Sequence, residues 1–127
     1  MKLAIIGSRT FKDFELLARE ADKLNPSEII SGGAQGADTL AFGYARSRGL
    51  PIKVIIPKWS DINHSGARIK VNKFGKKYDA LAGMRRNTEI IAAADRVLAF
   101  HDGTSAGTWD SIQKAAAAGK PCLVIRF

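Results

Sequence analysis

Five short apolar runs, separated by segments of helical periodicity, most limit what this chain can fold into. The runs are LAIIG, EIIS, IKVIIP, RVLAF and PCLVIRF, and they are nearly continuous, as in strands buried on both faces of a sheet. A helical pattern lies between each pair, as at Leu17, Ala21 and Leu24 in the first gap. Strand–helix alternation builds parallel sheets with helices on both faces. The sequence therefore predicts a three-layer α/β sandwich with a five-stranded parallel sheet, in the order 3-2-1-4-5.

Length and composition are those of one soluble globular domain spanning residues 1–127. Of its 127 residues, 46% are hydrophobic and 25% charged. No apolar run is long enough to span a membrane, and the N-terminus lacks a signal-peptide pattern. Cys122 is the single cysteine, so no internal disulfide forms, and we expect a cytoplasmic protein. No metal-ligand spacing exists, and we expect neither a metal nor a cofactor.

The net charge of +8 is concentrated in one part of the chain. Residues 58–86 hold eight basic and two acidic side chains and so carry +6. Within them, residues 57–80 predict a basic loop or lid, with at most a short helix, because the segment is long and rich in Gly, Ser and Asn. A basic surface favours an anionic partner, either a nucleotide or nucleic acid. The alternative is a solvated loop that only aids solubility.

Three loops rich in Gly, Ser and Thr follow the first, second and fourth strands. They are GSRTF, SGGAQGAD and HDGTSAGTWD. In open α/β sheets, ligands bind beyond the carboxyl ends of the strands, where the strand order reverses. With the predicted order, these loops meet at that crevice, and GMRRN, which opens the third helix, points Arg86 and Asn87 toward it. We therefore expect the ligand site at this edge.

The loop after the fourth strand is the strongest phosphate candidate. DGTSAGT leads into a helix, whose first N–H groups attract anions, and it offers Gly103, Thr104, Ser105, Gly107 and Thr108. A plain turn with a Ser or Thr cap is the alternative. SGGAQGAD is neither a dinucleotide fingerprint nor a P-loop.

Two charged residues in the other loops have alternative roles. Asp38 is placed either to contact a ribose hydroxyl or to stabilise the first turn of a helix. Arg9 is placed to bind a phosphate or carboxylate, with a surface salt bridge as its alternative.

Six motifs together resemble one known family. IIGSRTFKD, ISGGAQGADTLA, the P-x-W of Pro57 and Trp59, AGMRRN, AADRVLAFHDGTSAGTWDSI and GKPCLVI are similar, in order, to the YspA/YpsA-like branch of the SLOG (Smf/DprA–LOG) superfamily of bacteria and phages. The resemblance covers nearly the whole chain except residues 60–80. It implies a Rossmann-like domain that binds a nucleotide or nucleotide-derived ligand. It also implies that the site is lined by Gly7, Ser8, Arg9, Gly32, Gly33, Asp38, Arg86, Asn87, Gly103, Thr104, Gly107 and Thr108.

The resemblance also raises an enzymatic alternative. LOG relatives cleave the base from a nucleoside 5′-monophosphate with an arginine and a glutamate, and the position of that glutamate is Ser111 here. Asp110 lies one residue earlier, roughly 100° away around a helix. Since a carboxylate stabilises the oxocarbenium-like transition state, the candidate catalytic residues are Asp110, Asp102 and His101, with Asp38 as a further substitute. A packed histidine at the strand end is the alternative for His101.

Three functions are therefore compared. The first is a domain that senses or sequesters a nucleotide-derived ligand. The second is a hydrolase of an N-glycosidic bond in a nucleotide or NAD-like substrate. The third is a DprA-like nucleic-acid binder that uses the basic segment with Trp59, Phe74 and Tyr78. A homo-oligomer is suggested by the resemblance alone.

Overall fold

The main sheet has five parallel strands in the order β3-β2-β1-β6-β7, in a computed structural model that describes all 127 residues. Its strands are β1 (Lys2–Gly7), β2 (Glu28–Ser31), β3 (Ile52–Val54), β6 (Arg96–His101) and β7 (Cys122–Arg126). The helices are α1 (Phe14–Leu24), α2 (Ala37–Arg48), α3 (Ala82–Ala93) and α4 (Ala106–Ala117). The predicted fold and order are confirmed, because the two further strands, β4 (Ile69–Val71) and β5 (Lys77–Asp79), form a separate hairpin.

The core consists of two apolar layers, one on each face of the sheet. Leu3 and Ile5 of β1 face α1 and α2, whereas Ala4 and Ile6 pack in the layer that includes Ile90 of α3. Successive residues of a strand point to opposite faces, so a strand covered on both sides needs an unbroken apolar run. This is why the runs of β1 and β6 are continuous.

The two edge strands differ from the expectation that all five are buried on both faces. β3 is only three residues long, and Val54 is 43% exposed. In β7, Leu123 and Val124 are 43% and 39% exposed. Each edge strand has a neighbour on one side only, and the helices cover the middle of the sheet.

Residues 57–80 contain a β-hairpin rather than a loop with a short helix. β4 and β5 pair antiparallel, with Lys70 opposite Tyr78. The turn between them closes through a hydrogen bond from the Gly75 N–H to the Asn72 carbonyl, and Gly75 has φ +79°. The physical reason is a short period-two alternation around an Asn- and Gly-containing turn, which is typical of a hairpin.

No helix combines the length and apolarity required to cross a bilayer. No group of three or more His, Cys, Asp or Glu side chains is placed to hold a metal ion.

Candidate functional site

A cavity of about 320 Å³ opens at the carboxyl edge of the sheet, where the strand order reverses between β1 and β6. Loops after β1, β2 and β6 form it together with the second and third turns of α3 and the start of α4. Its buried lining includes the apolar residues Ile6 and Ile90 and the small polar residue Ser111. Its polar and glycine wall consists of Gly7, Arg9, Thr10, Asp38, Arg86, Asn87, Asp102, Ser105, Gly107 and Thr108.

A second cavity of about 350 Å³ continues from the first. The two share Arg9, Ala34 and Arg86. The second cavity extends along the loop after β2 toward the start of residues 57–80. Its further lining residues are Gly32, Gly33, Gln35, Ile56, Pro57 and Trp59. The two cavities therefore form one crevice, with two arginines at the boundary between them.

Arg86 is held in place by neutral acceptors rather than by a carboxylate. Its Nη1 donates to the Gly32 carbonyl at 2.6 Å, and its Nε donates to Oδ1 of Asn87 at 3.0 Å. The Asn87 amide is oriented in turn, because its Nδ2 donates to Oδ2 of Asp110 at 3.1 Å. The guanidinium is half-buried and forms no salt bridge. Burial lowers the pKa of Arg86, and the charge of Arg9 lowers it further, whereas the charge of Asp38 raises it.

Arg9 is the second cation of the crevice. It lies two residues beyond the end of β1, is exposed, and forms neither a salt bridge nor a side-chain hydrogen bond with the protein. The two guanidinium groups therefore raise the positive potential at the boundary between the cavities. An anion placed there would relieve their mutual repulsion.

Asp38 is the buried carboxyl of the crevice. It is only 8% exposed, and its Oδ2 accepts a hydrogen bond from the Ala34 N–H at 3.0 Å. Burial raises the pKa of Asp38 to about 6, although hydrogen bonds from the loop and the charge of Arg86 oppose the shift. Asp38 thus closes the glycine loop on itself and titrates near neutral pH.

Asp102 organises the loop that leads into α4. Its Oδ1 accepts hydrogen bonds from the N–H groups of Thr104 and Ser105, both at 2.8 Å. These bonds lower the pKa of Asp102 to about 2. The Asp102 N–H donates to Oγ of Ser8 at 3.2 Å, which fastens the loops after β1 and β6 to each other. Asp102 is therefore an ionised structural element of the cavity wall.

The first turn of α4 presents free donors to the cavity. Ser105 caps the helix through its Oγ, which accepts from the Thr108 N–H at 3.5 Å. The amide N–H groups of Ala106 and Gly107 have no acceptor within the protein. A Cβ added at Gly107 would meet no atom within 4 Å, so the glycine leaves open space at this helix start. These features suit an anion that approaches the backbone closely.

The loops after β1 and β2 also require glycine in order to meet. Gly36 has φ +79°, and a Cβ there would overlap the Ser8 carbonyl oxygen and lie 2.7 Å from Cα of Arg9. Only a residue without a side chain permits this contact. The approach holds Arg9 beside the loop that carries Ala34 and leads to Asp38 in the first turn of α2.

The structure does not bring all the predicted residues into the cavities. Ser8 is buried beneath the loops, and Gly103 and Thr104 lie on the outer side, where Arg126 covers Gly103. His101 contacts the Ser105 carbonyl through Nε2 at 3.2 Å and stacks on Trp109, away from the crevice. Asp110 does not line either cavity, and its Oδ2 accepts from Asn87 and from Lys114, the latter at 2.8 Å.

Other lining residues were not predicted as ligand contacts. Thr10, Ala34 and Gln35 flank predicted residues directly, so their place in the loops was the available signal. Ser111 lines the first cavity, because it is rotated by about 100° around the helix from Asp110. Trp59, predicted above only as a contact for nucleic acid, lines the second cavity, and its ring lies against Gly83, where a Cβ would be 3.2 Å from Cη2. No local sequence signal predicts that contact, which joins residues far apart in the chain.

Solved structures share this fold. DprA from Streptococcus pneumoniae matches with a TM-score of 0.70 at 22% identity, over 97% of this chain and 49% of that one. DprA from Helicobacter pylori, in a structure described as revealing a single-stranded DNA binding mode, matches with a TM-score of 0.66 at 25% identity, over 98% of this chain and 64% of that one. A third structure, TM1055, matches with a TM-score of 0.61 at 21% identity, over 95% and 71%. The chain thus spans about half to two thirds of the DprA chains.

Sequence comparisons identify the family. Residues 1–61, which contain the loops after β1 and β2, match the model of the YspA, cpYpsA-related SLOG family. The Gene 61 protein of Mycobacterium phage D29 is 33% identical over 131 residues, an alignment that covers 96% of this chain and 94% of that protein. The glycine loops that wall the crevice and this nearly full-length relative lead to one conclusion: the chain belongs to the YspA, cpYpsA-related SLOG family.

Proposed function

We propose that this protein binds a nucleotide or nucleotide-derived ligand, as a sensing or sequestering domain, with the phosphate in the first cavity. One observation carries the proposal. Arg9 and Arg86 face the same crevice, and neither forms a salt bridge within the protein. The two neighbouring guanidinium groups repel each other in the empty protein, no carboxylate is in salt-bridge contact with either, and a bound anion would relieve the repulsion.

The backbone at the start of α4 supports a phosphate rather than a carboxylate. Gly107, whose N–H has no acceptor within the protein, and Thr108 line the same cavity as the arginines. A helix start of this kind is a general phosphate site. A phosphate has enough oxygens to accept from both the helix start and a guanidinium.

The second cavity supports a ligand larger than inorganic phosphate. It continues from Arg9 and Arg86 to Trp59, a residue that is 45% exposed. Volumes of about 320 and 350 Å³ are within the range of small-molecule sites. An aromatic wall opposite a phosphate site accommodates a nucleobase by stacking.

Thermal unfolding with matched ligands tests the proposal. We expect nucleoside 5′-monophosphates to raise the melting temperature and the corresponding nucleosides to raise it much less, because the arginines bind the phosphate. Arg9→Gln should abolish the shift without lowering the stability of the free protein, since Arg9 has no intramolecular partner. The matched control is Arg46→Gln, in the last turn of α2 at the opposite edge of the sheet. If no nucleotide in a broad panel shifts the melting temperature, the proposal is wrong.

Hydrolysis of an N-glycosidic bond is a second candidate, favoured by one observation. Asp38 lines the first cavity with its pKa raised to about 6, which suits a general acid at neutral pH. Asp110 and His101 are less suitable, because neither lines the cavity. Chromatographic detection of free base, lost in Asp38→Asn and retained in Asp110→Asn, would support this candidate. A ligand that binds and remains intact would contradict it.

A further inference from the structure

We propose that the hairpin β4–β5, together with Trp59, binds a single-stranded polynucleotide whose terminal nucleotide occupies the crevice. The position of the terminal nucleotide rests on the proposed function, whereas the hairpin contact stands on separate observations. The hairpin lies beyond residues 1–61, the part matched by the family model. It is thus a feature of this chain that the family match does not explain.

The hairpin is fastened at its base and exposed at its tip. Asp79, 1% exposed, accepts from the Arg68 and Leu81 N–H groups through Oδ1 and from Arg85 through Oδ2 at 2.6 Å. The Asp79 N–H donates to the Trp59 carbonyl at 2.7 Å. The distal part is different, because the side chains of β4 are exposed along its whole length. We call this exposed part, residues 69–78, the arm of the hairpin. Because its base is fixed and its side chains are uncovered, the arm is suited to contact a partner.

The charge on the arm is of one sign. Residues 69–78 contain four lysines and no acidic side chain, and all four lysines are exposed: Lys70, Lys73, Lys76 and Lys77. None of them forms a salt bridge. Like charges in a short hairpin repel one another, so a polyanion that follows the arm is favoured on binding.

Aromatic rings connect the arm to the crevice. Tyr78 lies directly opposite Lys70, so the two side chains share one face of the hairpin. The Tyr78 ring packs edge-on against Trp59, with ring centroids 6.3 Å apart, and Trp59 lines the second cavity. That face of the hairpin is therefore continuous with the wall of the crevice.

The tip provides a further stacking surface. Phe74 is 79% exposed, and Nζ of Lys73 lies 5.1 Å from its ring centroid. Its position is defined, because Oδ1 of Asn72 accepts from the N–H groups of Phe74 and Lys76 at 2.9 and 3.0 Å. Alternating aromatic rings and lysines are the pattern by which proteins bind single strands without reading sequence. The bases of a duplex are already stacked on one another, so a single strand fits these rings best.

The order of the lining residues along the crevice indicates which part of the strand it holds. Trp59 lines the second cavity, Arg9 and Arg86 are shared by both, and the buried residues Ile6, Ile90 and Ser111 line the first cavity only. A strand that follows the hairpin and passes Trp59 therefore reaches the two arginines before these buried residues. The crevice suits the last nucleotide of a strand, with its terminal phosphate, and the hairpin suits the nucleotides before it.

Fluorescence anisotropy with labelled oligonucleotides tests this inference. The probes are oligomers of about 12 nucleotides, within the ~4–16 that such sites cover. They are made as dT and as U, with the terminal phosphate at either end, to distinguish DNA from RNA and one polarity from the other. The hairpin variant changes four lysines to glutamine: Lys70, Lys73, Lys76 and Lys77. The matched control removes four charges at the opposite edge of the sheet: Lys2→Gln, Lys23→Gln, Arg46→Gln and Arg96→Gln.

We expect the wild type and the control to bind at least one oligonucleotide, and the hairpin variant to lose tenfold or more in affinity. The slope of log affinity against log salt should become shallower by about 0.7 for each lysine that contacts a phosphate. Phe74→Ala should weaken oligonucleotide binding without changing the melting temperature, because its ring is exposed. The response of the melting temperature to mononucleotides should persist in all hairpin variants.

Other results separate the failure of this inference from the failure of the proposed function. Equal oligonucleotide affinity in the wild type and the hairpin variant, no binding by the wild type, or binding of anionic lipid vesicles only, would overturn the role of the hairpin and leave the nucleotide site standing. Hairpin-dependent oligonucleotide binding with no response to mononucleotides, unaffected by Arg9→Gln, would overturn the proposed function and retain the hairpin surface.

Discussion

Asp38 and Arg86 approach each other across Gly32 without forming a salt bridge. A Cβ at Gly32 would lie 2.5 Å from Nη1 of Arg86 and 3.0 Å from Oδ2 of Asp38. Arg86 donates to the Gly32 carbonyl and to Asn87 instead, and Asp38 accepts from Ala34. The guanidinium charge therefore remains available to a ligand, and the carboxyl is left with a pKa raised to about 6.

Asp38 should make stability depend on pH between about 4 and 7. The pKa of Asp38 is higher in the folded protein than in the unfolded chain. Below pH 3.8 the carboxyl is protonated in both states, and its burial carries no charge penalty. As pH rises through about 6 the folded protein loses stability, because the buried carboxyl must ionise. A shift of this size corresponds to about 3 kcal/mol. Asp38→Asn lacks this penalty, so urea unfolding should show the variant gaining about that much relative to wild type between pH 4 and pH 7. A constant difference across this range would contradict the raised pKa.

The same group should make nucleotide affinity depend on pH. An ionised Asp38 repels a bound phosphate, so the affinity of the wild type should fall as pH rises through about 6. Isothermal titration with a phosphodiester ligand measures this, because a monoester itself titrates near pH 6. In Asp38→Asn the affinity should be nearly independent of pH. A wild type with the same flat profile would show that Asp38 does not face the phosphate.

Replacing Gly36 and Gly107 by alanine should change the free energy of unfolding in different ways. Gly36→Ala forces a side chain into a positive φ and onto the backbone of Ser8 and Arg9, so we expect a loss of about 1–3 kcal/mol in the free energy of unfolding. Gly107→Ala meets no atom and lies in a helix, so it should be neutral or stabilise by up to about 1 kcal/mol. Chemical denaturation measures both changes.

Gly107→Ala also tests the site itself. Its methyl group enters open space at the helix start that we assign to the phosphate. The variant should therefore remain folded and lose most of the nucleotide-induced rise in melting temperature. Full retention of that rise would place the phosphate elsewhere in the crevice.

Asp79 should control the attachment of the hairpin. Burial alone would raise its pKa, but hydrogen bonds from the Leu81 and Arg68 N–H groups and the charge of Arg85 outweigh it and lower the pKa of Asp79. The carboxylate is thus ionised at neutral pH, and its contribution is present above pH 3.8 and lost as pH falls through the lowered value. Asp79→Asn removes an acceptor from Arg85, so trypsin should cleave at the hairpin lysines faster than in wild type. Asp61→Asn, a nearby exposed carboxylate without hydrogen bonds to the protein, is the control and should not change the rate.

The topology was predictable because the apolar runs of β1 and β6 are long and unbroken, and only a strand covered on both faces needs such a run. The hairpin was missed although a short alternation flanks its turn, because the segment is basic and rich in Gly, Ser and Asn, and its apolar residues Ile69 and Val71 are exposed rather than part of the core. The position of residues around α4 explains why Asp110 does not line the cavity. Ser111, not Asp110, lies about one helical turn beyond Thr108, so Ser111 lines the cavity with Thr108. Asp110 instead accepts hydrogen bonds from Asn87 and Lys114.

The sequence by itself determined which loops meet. Parallel strands joined by right-handed helical crossovers place every carboxyl end at one edge, so the residues after β1, β2 and β6 must share a crevice. Only the tertiary structure decided which side chains within it are free. Arg86 takes its acceptor from Gly32, 54 residues away, and Asp110 takes its donor from Asn87, 23 residues away. Such pairings depend on distances between packed elements, which no local pattern encodes, and they leave Arg9 and Arg86 without a salt bridge.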